Sequence, residues 1–163
     1  MTYRKQFVVR WSECDANGHL RSTAYSEYGI ETRICFLAEN GFPYAKFVEH
    51  AIGPVIQTEE IAYLREQRLG DTIEVDFKAL GTSADGSRFK LSHDFRTPKG
   101  RHLARIVITG GWMDLRRRRL TTPPEELLRA VNSLERGEVF ERLANARNHG
   151  EPLSASPTLP DES

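Results

Sequence analysis

Between Ser12 and Thr23 the chain reads SECDANGHLRST, which gathers two carboxylates (Glu13, Asp15), a thiol (Cys14), an imidazole (His19) and three hydroxyls (Ser12, Ser22, Thr23). A connecting loop needs turn residues only, so this density of reactive groups asks for a chemical reason. The residues that follow turn apolar with helical spacing, and the start of such a helix exposes unpaired N–H groups at the positive end of its dipole. A carboxylate held beside that point serves as nucleophile or as general base for water, while the amides stabilise an oxyanion forming on a carbonyl. The pairing is the chemistry of acyl transfer or hydrolysis, with Glu13 or Asp15 as the acid and Ser22 or Thr23 at the helix start.

Each residue also has a plainer reading. Acids ahead of a helix are ordinary caps. His19 beside Gly18 either orients the loop by hydrogen bonding or carries a proton. Strand alternation turns the Cys14 thiol away from Asp15. Glu13, Asp15 and His19 offer metal-ligand atoms, but no H-x-x-x-H or C-x-x-C spacing supports them, and no metal is expected. Glu31 falls within the apolar stripe of the helix, where an acid is costly unless paired or useful, and Arg33 is too close in sequence to share its face. Glu31 is therefore a candidate second polar group of the site.

The elements that must position these groups are read from periodicity. Tyr3 to Trp11 alternate as a half-buried strand, and Ser22 or Thr23 to Asn40 form a helix, with Asn40-Gly41 and Pro43 as its stop. Strands are predicted over Val55 to Leu64, Asp71 to Leu80, Arg88 to Arg96 and His102 to Leu115, with SADGS as a hairpin turn. In TTPPEELLRAV, Thr122 and Glu125 make a capping-box pattern with Pro123 at the first helical position, and a further helical segment is expected to about Asn148. Consecutive strands without crossover helices give a mainly antiparallel five-stranded sheet cradling the long helix, an α+β fold. Residues 1–148 are expected to form one domain, and the proline-rich, acidic residues 149–163 a disordered tail.

Equal numbers of basic and acidic residues, 23 each, give no net charge to attract nucleic acid or anionic lipid. Arg116 to Arg119 are the one strong charge run, expected as a solvated strand end or a contact for phosphates. The absence of a signal-peptide pattern and of a long apolar run makes the cytoplasm the expected compartment, with no membrane partner.

The stretch VRWSECDANGHLRSTAYSEYGIETR resembles the opening signature of hotdog-fold acyl-CoA thioesterases of the 4-hydroxybenzoyl-CoA thioesterase type, on Trp11, Asp15, Gly18, His19, Tyr25, Tyr28, Glu31 and Arg33. The resemblance extends from about residue 5 to about residue 130. It implies a long central helix wrapped by the sheet and hydrolysis of an acyl-CoA to free acid and CoA. It also implies Asp15 as the catalytic carboxylate, the amide near Ser22 as oxyanion donor, and His19, Tyr25 and Glu31 about the substrate. By the same resemblance Ser87 and Arg88 would meet the CoA pyrophosphate, no cofactor is needed beyond the CoA of the substrate, and the chain would pair as a homodimer or homotetramer. Two departures stand out: Glu13 replaces the first aspartate of the motif, and Arg21-Ser22 replaces a pair that is commonly two asparagines. The pocket would depend on Ile30, Ile34, Phe47 and Val48. The rival expectation is a non-catalytic hotdog module that binds acyl-CoA.

Overall fold

The computed structural model describes residues 2–146; the expected tail at 149–163 lies outside the described residues. Strand β1 (Tyr3–Val8) is followed by a 3-10 turn (Trp11–Glu13) and the 18-residue helix α1 (Ser22–Glu39). A short helix α2 (Tyr44–His50) leads into β2 (Ile52–Tyr63), β3 (Thr72–Ser83), β4 (Arg88–Arg96) and β5 (His102–Asp114). Then come β6 (Arg119–Leu120), α3 (Glu125–Asn132) and β7 (Arg136–Leu143). The main sheet order is β1-β3-β4-β5-β2, with every neighbour antiparallel; β6 adds to β5, and β7 pairs in parallel with β3.

The concave face of this sheet is apolar because alternate residues of each strand turn to it. Ile73, Val75 and Phe77 on β3, Phe89, Leu91 and Phe95 on β4, and Ile106 and Ile108 on β5 are all nearly or fully buried. Helix α1 fills the curl with Ala24, Tyr25, Tyr28, Gly29, Thr32, Phe36 and Leu37. Aromatic pairs knit the two layers: Phe7 stacks on Tyr28 at 4.3 Å, Phe36 meets Phe77 edge-on at 5.3 Å, and Tyr25 meets Phe95 at 5.3 Å. Truncating a buried ring such as Phe95, which is 0% exposed, costs on the order of 3–5 kcal/mol. Leu127, Ala130 and Val131 of α3 join the same core.

Helix α1 stops by a specific device. Gly41 adopts φ 86°, its amide donates to Ala38 O (3.2 Å), and the Phe42 amide donates to Leu37 O (2.8 Å), while the Asn40 side-chain amide takes Phe36 O (2.8 Å). The carbonyls of Phe36, Leu37 and Ala38 are thus satisfied, and the left-handed conformation is the reason for glycine at 41.

Several expectations need correction. Trp11 is not the end of β1; it opens the 3-10 turn and is 77% exposed. Helix α2 was not legible from its apolar spacing, since only Phe47 of it is buried and Val48 is exposed. The segment expected as a further helix after Val131 is instead β7, which uses the part of β3 from Ala79 to Ser83 that β1 does not reach. The five expected strands are all present, and β6 and β7 extend them.

Candidate active site

Two acids in one loop have opposite fates. Glu13 is only 2% exposed. It accepts bonds from the Tyr28 hydroxyl (2.6 Å), the Arg10 amide (2.9 Å) and the Arg10 guanidinium (2.6 and 3.0 Å). Burial by itself raises its pKa, but Arg10 and Tyr28 outweigh burial and hold the carboxyl at about 2. Its carbonyl also accepts the Arg21 amide at 2.9 Å, so Glu13 fastens the loop to the start of α1.

Asp15 is exposed. Its Oδ1 accepts the amides of Asn17 (2.8 Å) and His19 (3.0 Å), while its backbone exchanges bonds with His19 O (2.8 Å) and the Gly18 amide (3.0 Å). Gly18, at φ 75°, turns the chain back in a conformation that a side chain would disfavour. All the side-chain bonds use Oδ1, which leaves Oδ2 for a ligand.

Helix α1 begins at Ser22 with Arg21 as N-cap, and no side chain caps it. The first intrahelical-type bond runs from the Ala24 amide to Arg21 O (3.1 Å); the amides of Ser22 and Thr23 have no acceptor among the described residues. Asp15, His19, Leu20, Ser22 and Tyr25 line a cavity of about 350 Å³ whose other wall, Tyr63 to Glu66, comes from the end of β2 and the loop after it. The volume is within the range of small-molecule sites. Tyr25 is buried, and burial pushes its hydroxyl up to about 12, so it remains a neutral donor there. Its ring meets that of Tyr63 edge-on at 5.3 Å, and the Tyr63 hydroxyl reaches Ser22 O at 3.5 Å. His19 Nε2 lies 3.3 Å from a carboxylate oxygen of Glu66.

The structure therefore brings together Asp15, His19, Ser22 and Tyr25 of the expected residues. It does not bring Glu31, which is exposed on the other side of α1 and pairs with Lys5 at 3.3 Å. The buried stripe runs through Tyr28, Thr32 and Phe36, which turns Glu31 outward. Ser87 and Arg88 lie away from this cavity, at the β3–β4 turn. Ser87 is 0% exposed and its hydroxyl is held by Asp85 (2.7 Å) and the Ala146 amide (3.1 Å), so it has no free hydroxyl to offer a phosphate. It borders a second cavity, of about 140 Å³, that Arg117 and Arg119 also line. The Cys14 thiol donates to Arg10 O at 3.5 Å, and Cys14 is not among the lining residues of the main cavity. No His, Cys, Asp and Glu cluster with metal-binding geometry occurs among the described residues, and none of their helices is long and apolar enough to cross a membrane. Tyr63, Leu64, Arg65 and Glu66 were missed in the sequence, where YLREQ carries no motif; pairing of β2 with β5, with the Leu20 amide donating to Gln67 O and His19 bridging to Arg68, puts them opposite Asp15.

A family description, the thioesterase-like superfamily, matches residues 9–131, and the chain belongs to it. Among curated proteins nothing matches. Among solved structures, a hypothetical protein of Staphylococcus aureus in complex with CoA is similar at 17% identity and a TM-score of 0.76, covering 86% of this chain and 90% of that one. A 1,4-dihydroxy-2-naphthoyl-CoA thioesterase from Synechocystis is similar at 16% identity and a TM-score of 0.73, covering 82% and 98%. YbaW of Escherichia coli shares 24% identity at a TM-score of 0.67, covering 81% and 98%. The fold is the hotdog fold.

Proposed function

We propose that this member of the thioesterase-like superfamily hydrolyses a CoA thioester to the free acid and CoA. One observation carries the reading: the Asp15 carboxylate and the start of α1, where the amides of Ser22 and Thr23 lack acceptors, border the same cavity. A thioester whose carbonyl oxygen points at those amides presents its carbon towards Asp15. Asp15 Oδ2 takes a proton from water, the hydroxide adds to that carbon, and the charge passes to the oxygen at the helix start. Collapse breaks the C–S bond, and the CoA thiolate recovers the proton from Asp15. Direct attack by the carboxylate through an anhydride gives the same products. His19 and Tyr25 border the reacting group as donors, with Glu66 orienting the imidazole.

Relatives in complex with CoA or named for CoA thioesters support this substrate class. The nucleotide end of CoA is assigned to the β3–β4 turn, where Arg88 stands beside Ser87 and where Arg117 and Arg119 supply charge that the Ser87 hydroxyl does not. Among the described residues strand β2 pairs only with β5, which leaves its other edge open, and Ile56, Tyr63 and Leu64 on or just after it are 40–51% exposed. A second copy joined there covers the edge and closes the cavity wall formed by Tyr63, which is why we assign a homo-oligomer with its sites at the subunit boundary. The cytoplasm is the compartment proposed.

A second reading has one observation in its favour: Asp15 Oδ1 already shapes the loop through two amides, as it would in a module that binds acyl-CoA without turnover. Release of free thiol from a panel of aryl, short, medium and branched acyl-CoAs separates the two. Turnover by the wild type that Asp15→Asn abolishes supports hydrolysis; saturable binding without thiol release supports the module.

A further inference from the structure

Where α1 packs on β4, a polar pair interrupts the apolar contact. Arg33 reaches under the helix and its Nη1 donates to Nε2 of His93 at 3.1 Å. His93, on the central strand β4, is 0% exposed and stacks on Phe77 at 4.9 Å. Its Nδ1 donates to Asp76 O at 2.7 Å, which fixes the tautomer and leaves Nε2 as an acceptor for the guanidinium. Burial, aided by the charge of Arg33, holds this imidazole at about 3, so the pair carries a single positive charge, on Arg33.

That charge has no partner of its own. Arg33 is partly buried and makes no ion pair among the described residues; Glu59, the acid whose field reaches it, is engaged by the Ser26 hydroxyl at 2.5 Å. Desolvation pulls the guanidinium down to about 10, the mark of a cation held without a counterion. Gly29 belongs to the same arrangement: a Cβ there would stand 3.3 Å from the His93 ring and 3.6 Å from Arg33 Nη1. A glycine inside a helix costs about 1 kcal/mol relative to alanine. Three locally unfavourable choices thus meet at one spot, the pattern expected of a functional site.

Resting on the thioesterase reading, we propose that Arg33, held by His93, is the binding site for a carboxylate at the far end of the acyl chain, so that the substrate is the CoA monothioester of a dicarboxylic acid. The guanidinium faces inward, to the central strand, where a slender acyl chain reaches more readily than a residue of a neighbouring protein. It sits level with Gly29, seven residues from Ser22, or about 10 Å along the helix. An extended chain of about six to eight carbons, with C–C bonds of about 1.5 Å, covers that length. Between the two points the same flank of α1 carries the half-buried Ser26 and then the buried Gly29, both small.

The test compares adipoyl- and suberoyl-CoA with hexanoyl- and octanoyl-CoA, for the wild type, Arg33→Met and Arg33→Lys. The expected result is a wild-type kcat/KM favouring the charged substrates, with the charged-to-neutral ratio falling by about 30-fold or more in Arg33→Met and partly restored in Arg33→Lys. A wild-type ratio at or below one, or a ratio unmoved by Arg33→Met, overturns the proposal. Loss of self-association in Arg33→Met, seen by sedimentation with the ratio intact, also overturns it, by placing the counterion on a second copy. If the wild type hydrolyses none of these or the wider panel, the thioesterase reading fails separately. Titration with suberate then decides: saturable binding lost in Arg33→Met sustains the carboxylate site, and no binding removes it.

Discussion

The two ends of α1 are finished in opposite ways. At the C-terminal end Asn40, Gly41 and Phe42 supply donors to the carbonyls of Phe36, Ala38 and Leu37. At the N-terminal end no side chain caps the helix, and Ser22 borders a cavity with Asp15. A chain that closes one end so fully has the means to close the other. The loop before Ser22 even holds a suitable acid, yet Glu13 is spent on Arg10 and Tyr28 instead of the helix start. The difference leaves the amides of Ser22 and Thr23 without an acceptor among the described residues, as the proposed oxyanion role requires.

The comparison can be broken by experiment, and the most damaging change comes first. Asp15→Asn is expected to lower kcat on the best acyl-CoA by about 100-fold to 10,000-fold, the usual worth of a general base, with little change in Tm because Asn keeps the Oδ1 acceptor. Activity near the wild-type level would end the role of Asp15. Next, Ser22→Pro removes one amide where the helix tolerates it: Ser22 is the first helical position, and Arg21 at φ −66°, ψ 150° suits the residue before proline. A fall in kcat of about 100-fold or more identifies that amide as the oxyanion donor, whereas unchanged kcat moves the role to Thr23.

The closed features carry smaller effects, on stability. Glu13→Gln is expected to cost about 1–3 kcal/mol, measured by urea unfolding at neutral pH, because Tyr28 and Arg10 lose a charged acceptor. The folded pKa of Glu13 is below its ordinary value, so its contribution is complete above about pH 4.5 and is lost as pH falls through about 2. The stability gap between wild type and Glu13→Gln must therefore narrow over that window; a constant gap would show that charge is not the cause. Smallest of all, Gly41→Ala should cost about 1 kcal/mol through its positive φ while kcat stays unchanged, since it lies at the end of α1 remote from the cavity.

How much was legible depended on distance along the chain. Asp15, Gly18, His19 and Ser22 lie within eight positions, so their residue types and the change from alternating to helical spacing pointed to the candidate site, where Asp15, His19 and Ser22 share a cavity. Glu31 was misplaced because Ile30 and Ile34 make the apolar stripe look wider than the buried one; they are 49% and 40% exposed, and the stripe is centred on Tyr28, Thr32 and Phe36. β7 was misread because its apolar residues, Val139, Phe140 and Leu143, fall at helical spacing, and only the free part of β3 makes them a strand.

The sequence by itself determined the fold class, the long helix with its glycine stop, and the loop that offers Asp15 to the helix start. These are local matters of periodicity, turn residues and backbone conformation. Tertiary structure alone decided that Glu13 is clamped while Asp15 stays open, that Tyr63 to Glu66 complete the cavity, and that Arg33 meets His93. Each of those follows from pairing strands far apart in sequence: burial and electrostatic environment belong to neighbours in space, and a residue's type does not name them.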